Sequence, residues 1–244
     1  MIGQQDRFQH AMNQGHSAAW DQNWGKAAEY YRQALEEYPD HPKALTSLAL
    51  ALYESQNFPE ALQTYQRAAE VSPNDPVPLE KVAGILERMG HLAPAVFAYM
   101  EAAEMYARSR DIEKAIENWS SVISLNPEHL PAHSRLAVVY ERLGRKPQAL
   151  TEYISIASLL QQTGEVEKAI QTIHHLQSIL PDSTEARQAL NMLQSGRALP
   201  KPRRPRSVTG PLVMAKVREL EPKKTERDEQ PRLDPIREAR QKAL

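Results

Sequence analysis

Hydrophobic residues recur along the chain at steps of three and four, the spacing that places side chains on one face of an α-helix. One such set consists of Ala27, Tyr31, Ala34 and Pro39. The same residue types return 34 positions later within 61–73, and again, without the proline, within 95–102. A repeat of this length predicts an array of similar helical units.

A second set precedes these runs and predicts the other helix of each unit. Its members are Leu45, Leu48, Ala49 and Leu52, and the next repeat has Leu79, Val82, Ala83 and Leu86 in the same places. We expect the alanines of both sets to lie where two helices cross, because small side chains allow the axes to approach closely. Pro39 and Pro73 are expected to end the second helix of their units, since proline has no backbone N–H.

The period then changes. Ala115 and Trp119 repeat the second-helix pattern of Ala95 and Tyr99 after a shorter step, and a larger, 54-residue unit emerges. The stretch 92–108 carries both the first-helix and the second-helix pattern, and 147–161 does the same. We therefore predict that one helix serves two neighbouring units there, so that each 54-residue block contains three helices.

The predicted fold class is all-α: an α-solenoid of antiparallel helix pairs with two three-helix, 54-residue variant units and a disordered C-terminal tail. The predicted solenoid covers 8–195, with units at 8–41, 42–75, 76–129 and 130–183 and a capping helix at 183–195. The Pro-, Arg- and Lys-rich stretch 199–233 is predicted to be a disordered linker. A short helix is predicted to begin at 234 and to continue to 244.

The spacing resembles that of the tetratricopeptide repeat (TPR) family. The runs that carry the resemblance are Ala-x3-Tyr-x2-Ala-x4-Pro at 27–39 and 61–73, and Leu-x2-Leu-Ala-x2-Leu at 45–52. It implies a protein without catalytic activity that binds a peptide or partner helix along a concave face. The partner-binding residues it implies are Met12, His16, Lys43, Thr46, Leu50, Tyr53, Glu80, Gly84, Glu87, Ser134, Val138 and Glu141.

Some members of that family grip a carboxyl-terminal peptide with Lys, Asn and Arg side chains. In the first three units of this chain the corresponding places hold Met12, His16, Ser47, Val77 and Lys81. Because only Lys81 is basic, we predict that this clamp is absent.

Charge divides the chain in two. Residues 1–198 carry 17 Lys and Arg against 24 Asp and Glu, a net charge of −7, while 199–244 carry a net charge of +6. The basic run Lys201–Arg206 has no interleaved aromatic residue, so we interpret it as a solvated linker, with contact to nucleic acid as the alternative. There is no cysteine, no signal-peptide pattern and no apolar run of membrane-spanning length, and we predict a cytoplasmic protein without membrane insertion.

No catalytic, cofactor-binding or metal-binding motif is present in the sequence, so we expect no enzyme activity, cofactor or metal. His129 and His133 have a metal-ligand spacing but straddle a predicted helix start. His174 is expected to be partly buried or exposed rather than a ligand or base. The buried positions are assigned to Tyr31, Tyr65, Tyr99, Tyr153 and Trp119.

Two other functions stay open from the sequence. The first is the N-terminal regulatory or assembly segment of a larger protein, including an enzyme, because the final run Asp234–Leu244 has helix character and no stop signal. The second is a nucleic-acid-associated protein that uses its basic tail, which salt-dependent binding of RNA or DNA would indicate.

Overall fold

The computed structural model describes residues 3–202, and this range contains eleven α-helices and no β-strand. They are α1 (Gln4–Trp20), α2 (Trp24–Glu37), α3 (Pro42–Glu54), α4 (Phe58–Val71), α5 (Pro76–Arg88), α6 (Leu92–Arg108), α7 (Ile112–Leu125), α8 (Leu130–Arg142), α9 (Lys146–Gln162), α10 (Val166–Ile179) and α11 (Thr184–Gln194). Each helix packs against the next one along the chain. The predicted all-α solenoid is confirmed, while its division into units stays a prediction.

The sharp turns between helices have a common design. The second residue before a new helix takes a positive φ, and where this residue is not glycine it is Gln22, Gln56 or Arg110, with φ between 56° and 66°. Glycine fills the same place in the other turns of this kind, because the left-handed region costs it nothing. The next residue often caps the new helix, as Asn57 does by accepting a hydrogen bond from the backbone N–H of Glu60.

Alanines occupy the helix crossings, as expected from the sequence. In the second-helix set they are entirely buried at Ala27, Ala61, Ala95, Ala115, Ala149 and Ala169. In the first-helix set they are equally buried at Ala49, Ala83, Ala103, Ala137 and Ala157. Tyr31, Tyr65 and Trp119 are buried beside them and fill the space next to the crossings. The core is therefore a continuous seam along the array rather than a central cluster.

The helices α6 and α9 are unbroken over 17 residues each and bury more side chains than the other helices of residues 3–202. Seven side chains of α6 and eight of α9 are buried, against six in α3 and six in α7. Ala95 and Ala103 are both buried on α6, one from each of the two sets. This is consistent with a helix that packs in two roles, and the assignment of α6 and α9 to two units each stays our interpretation.

The packed body continues past the predicted start of the linker at Leu199. Leu199 is buried against the second part of the core, and its backbone N–H donates to Gln161 Oε1 over 2.7 Å. The Nε2 of Gln161 in turn donates to the carbonyl of Arg197 over 2.8 Å. The predicted boundary is therefore too early, because an apolar side chain at 199 finds a place on α9 and α11. The remainder of the predicted linker, the basic residues 203–206 and the helix at 234–244 lie outside the described residues.

None of the helices in residues 3–202 is long and apolar enough to cross a lipid bilayer.

Two histidine side chains have structural roles at the start of α8. His129 caps that helix by accepting from the N–H of Ala132 over 3.2 Å. His133 is buried, with Nδ1 2.5 Å from a Glu152 carboxylate oxygen and Nε2 2.8 Å from the carbonyl of Pro127.

Both ring nitrogens of His133 thus face an acceptor, which suits the protonated imidazolium. Burial by itself lowers the pKa of His133, but the hydrogen bonds to Glu152 and Pro127 outweigh burial and raise it above its ordinary value of 6.5. The pair joins α8 to α9 in the interior, where an unpaired nitrogen would be costly.

We predict that replacing Gly15 of α1 with alanine destabilises the fold. A Cβ at Gly15 would lie 2.5 Å from Cε1 and 2.7 Å from Cδ1 of the buried Tyr31 ring. Overpacking of this kind costs about 1–3 kcal/mol, and the better helix propensity of alanine recovers about 1 kcal/mol. Urea unfolding of Gly15→Ala should therefore show a net loss of about 1 kcal/mol. An unchanged or raised midpoint would contradict the close contact.

We also predict a pH-dependent contribution of His133 to stability. Because its folded-state pKa is raised, the contribution is complete below the unfolded value of 6.5 and is lost as the pH rises through the folded-state value. The difference in unfolding free energy between the wild type and His133→Gln should shrink as the pH rises from below 6.5 through the raised folded-state pKa of His133. His174→Gln replaces an exposed histidine and is the control for the loss of one imidazole from the surface. A difference that is constant with pH would refute the assignment.

Candidate functional site

The predicted partner-binding residues lie at repeated positions of the first helix of each unit, on α1, α3, α5 and α8. One position is occupied in turn by His16, Leu50, Gly84 and Val138. The next turn of the helix holds Tyr53, Glu87 and Glu141, and the preceding turn holds Met12, Thr46, Glu80 and Ser134. Lys43 is exposed near the start of α3.

Met12 is a correction to this set, because it is buried in the core with 6% of its surface exposed. The equivalent residues Thr46, Glu80 and Ser134 are half-buried, so the position lies at the edge of the core. An apolar, unbranched side chain at such a place packs inward, whereas polar ones reach the surface. Met12 is therefore part of the packing around α1 and does not present itself to a partner.

Four of the predicted residues meet in one cleft, with a volume of about 330 Å³. The cleft is lined from α3, α4, α5, α6 and α7 by Leu50, Tyr53, Glu54, Tyr65, Glu80, Lys81, Gly84, Tyr99, Glu117, Asn118 and Ser121. The structure does not bring His16, Lys43, Thr46, Ser134, Val138 or Glu141 into it. Glu87 adjoins the cleft by accepting a hydrogen bond from the Tyr99 hydroxyl over 2.8 Å.

Three tyrosines line the cleft, and two of them, Tyr65 and Tyr99, are buried. Burial and, after it, the charge of Glu54 raise the pKa of Tyr65 to about 12. Burial, the charge of Glu87 and the hydrogen bond to it raise the pKa of Tyr99 still further. Both phenols are therefore neutral at physiological pH and able to donate a hydrogen bond. The nearby carboxylates create a negative electrostatic potential around both hydroxyl groups.

Tyr53 is held in place by a cation. The guanidinium carbon of Arg88 lies 5.6 Å from the centre of the Tyr53 ring and 4.7 Å from that of the Phe58 ring. Arg88 Nη1 also donates to the Tyr53 hydroxyl over 3.2 Å. These contacts orient Tyr53 at the edge of the cleft through charge–quadrupole attraction and a hydrogen bond.

Carboxylates outnumber cations in the cleft lining, with Glu54, Glu80 and Glu117 against Lys81. Lys114 of α7 lies 2.7 Å from Glu117 and 3.8 Å from Glu80, and the Tyr106 hydroxyl also donates to Glu80. Within residues 3–202, Glu54 makes no ion pair and no hydrogen bond through its carboxylate. The cleft therefore keeps acceptor capacity that the described protein does not use.

Asn118 is a second unused acceptor. It is 2% exposed, and its Nδ2 donates to the carbonyl of Lys114 over 2.9 Å. Its Oδ1 has no hydrogen-bond partner among the described residues. A buried acceptor left without a donor costs about 1–3 kcal/mol. Asn118 thus places in the cleft lining a buried polar side chain whose hydrogen-bonding capacity the described residues do not fully use.

Gly84 leaves space in the cleft, and the backbone conformation at this position does not require glycine. It lies inside α5, where glycine costs about 1 kcal/mol relative to alanine, and it does not take a positive φ. A Cβ at this position would have the Tyr99 hydroxyl, 3.7 Å away, as its nearest neighbour, so close packing does not require glycine either. The equivalent positions carry Leu50 and Val138. The small residue at 84 leaves open the space that a larger side chain would fill.

The equivalent place in the second 54-residue block is built differently. Glu141 accepts from the hydroxyl of Tyr153, and His175 Nε2 lies 3.1 Å from Glu141 and 3.2 Å from that hydroxyl. Thr172 stands where the first block has Asn118, and its hydroxyl donates to the carbonyl of Lys168. Hydrogen bonds within the protein therefore occupy the polar groups of this place.

The polar groups of the cleft can form hydrogen bonds and ion pairs. Residues 3–202 hold no group of three His, Asp or Glu side chains placed to bind a metal ion. The polar groups of the cleft are carboxylates, amides and high-pKa phenols that accept or donate hydrogen bonds at neutral pH.

The sequence-based site prediction includes none of the seven further lining residues, which are Glu54, Tyr65, Lys81, Tyr99, Glu117, Asn118 and Ser121. The repeat pattern assigns Tyr65 and Tyr99 to the core, which is correct for their rings, and it indicates Lys81 only as a remnant of a carboxylate clamp.

The repeat pattern of the chain is shared with known proteins. A sequence model described as tetratricopeptide repeat matches residues 12–76 and 100–162, which together make up more than half of the chain. No curated protein sequence matches. The match covers both the regular 34-residue repeats and much of the stretch with the longer period.

The solved structures to which the chain is similar include the TPR2B domain of yeast Sti1 in a complex with pHsp70, with 20% identity and a TM-score of 0.42. This similarity covers 46% of the present chain and 94% of the other one. Pseudomonas aeruginosa pilF has 16% identity, a TM-score of 0.38 and coverage of 80% and 100%. MamA from Desulfovibrio magneticus RS-1 has 17% identity, a TM-score of 0.38 and coverage of 69% and 98%.

We predict that Gly84→Ala stabilises the protein by about 0.5–1 kcal/mol, because alanine is the better helix former and the space for its methyl group is present. The change is the counterpart of Gly15→Ala, which has the opposite expected sign. Chemical unfolding of the two variants in parallel measures both. A loss of stability in Gly84→Ala would mean that glycine is needed for packing and that the open space is incidental.

Proposed function

The chain belongs to the tetratricopeptide repeat family, and from this premise we propose that it is a non-enzymatic scaffold or adaptor that binds a peptide or a partner helix. The binding surface is the face of α3, α5 and α8 that carries the predicted residues and includes the cleft. Its partner is another protein, recognised by a surface that mixes apolar and charged groups.

One observation carries this proposal: the repeated position on these helices presents apolar side chains to solvent. Leu50 and Val138 are each 42% exposed, although the other leucines of α3 are buried and the other large apolar residues of α8 are buried or half-buried. Between them in the array lies Gly84, above the open cleft. Exposed apolar groups surrounded by polar ones are typical of surfaces that bind proteins.

The test compares this face with a matched site elsewhere. Partners captured by the full chain are identified by mass spectrometry, and the affinity of one purified partner is then measured by calorimetry. Leu50→Asp and Val138→Asp should each weaken binding about tenfold or more, because a charge then replaces an apolar contact.

Phe97→Asp is the control, since Phe97 is 72% exposed on α6 and is not part of the proposed face. All three variants replace an exposed side chain, so their folding should be equal by circular dichroism. If Phe97→Asp weakens binding and the two others do not, the partner binds elsewhere and the proposed face is wrong.

A further inference from the structure

We infer that the cleft between α3, α5 and α7 receives a positively charged side chain, lysine or arginine, from a basic segment of the partner protein. This inference rests on the proposed function and specifies the chemistry of its partner. It depends on three independent features of the cleft: unused acceptors, a surplus of carboxylates, and an opening kept by a glycine.

The unused acceptors define what the occupant must supply. Asn118 Oδ1 is buried without a hydrogen bond, and the Glu54 carboxylate has no partner among the described residues. Glu54 is exposed at the cleft, and both groups only accept in these roles, so a group that binds to them has to be a donor. An ammonium carries three N–H donors and a guanidinium carries five, with no acceptor to conflict with the carboxylates.

The charge of the cleft selects a cation among donors. Glu54, Glu80 and Glu117 line it against Lys81, and Lys114 partly neutralises the last two carboxylates. Leu50 and three tyrosine rings also line the cleft, and the stem of a long basic side chain can pack on them. A peptide carboxylate is disfavoured for the same reason, since it would meet Glu54 at close range.

Gly84 supplies the access. Neither backbone conformation nor packing requires glycine at this position. Glycine nevertheless stands here in spite of its low helix propensity, while the equivalent positions carry Leu50 and Val138. In the second block, Val138 replaces Gly84 and Thr172 replaces Asn118, and internal hydrogen bonds use the polar groups. The cation site is therefore expected once, at the first block, and not at the second.

The experiment measures binding of capped, fluorescent peptides of one sequence to the full chain. Two positions of the peptide are arginine, lysine, the uncharged arginine isostere citrulline, or glutamate. Arginine or lysine peptides should bind at least about tenfold more tightly than the citrulline peptide, and raising the salt from about 50 to about 300 mM should weaken them. The better of the two basic peptides identifies the preferred cation.

Variants locate the binding. Glu54→Gln, Asn118→Leu and Gly84→Leu should each reduce the affinity of the basic peptide at least about fivefold, and Asn118→Leu should do so without loss of folding stability. Glu101→Gln removes one carboxylate that does not line the cleft, and Thr172→Leu makes the matched change in the second block. Both controls should leave binding unchanged.

The inference is overturned if no basic peptide binds, if citrulline binds as well as arginine, or if the controls weaken binding as much as the cleft variants. Its failure is separable from that of the proposed function. A purified partner whose affinity falls with Leu50→Asp but not with Glu54→Gln would keep the proposed face and refute the cation site.

Discussion

The close approach of helices across alanine is the constraint on which the rest of the structure depends. At each crossing the alanines are fully buried, so the helix axes can come as near as backbone contact allows. Larger residues then find room only beside the crossings, where the tyrosines and Trp119 lie. Once this seam is closed, the first helix of each unit has one side left for solvent, and that side carries the candidate site.

The tyrosines connect the seam to that side. In two places the ring fills the core while the hydroxyl donates to a glutamate at the end of the preceding helix, as Tyr99 does to Glu87 and Tyr153 to Glu141. The same side chain thus supports packing and fixes the position of a surface charge. This dual use explains why residues correctly assigned to the core also line the cleft.

The helices and their order were predictable because helical periodicity and the repeat length are properties of nearby residues. The same phase identified Leu50, Tyr53, Glu80 and Gly84, which do meet in the cleft.

Asn118 was not predictable, since its unpaired oxygen depends on how α7 packs against other helices. Burial of Met12 depends on the residue type at an edge position, which repeat phase does not decide. Leu199 shows the same limit at the other end of the packed body, because its hydrogen bond to Gln161 joins distant parts of the sequence and no local pattern reveals it.

The broad buried faces of α6 and α9 have a consequence for how the array comes apart. A repeat protein loses order by opening between neighbours, and each opening exposes the interface on that side. A helix buried over seven or eight side chains cannot leave one neighbour without uncovering surface that also serves the other. Fraying from either end should therefore halt at these helices, so that they divide the molecule into cooperative blocks larger than a single pair.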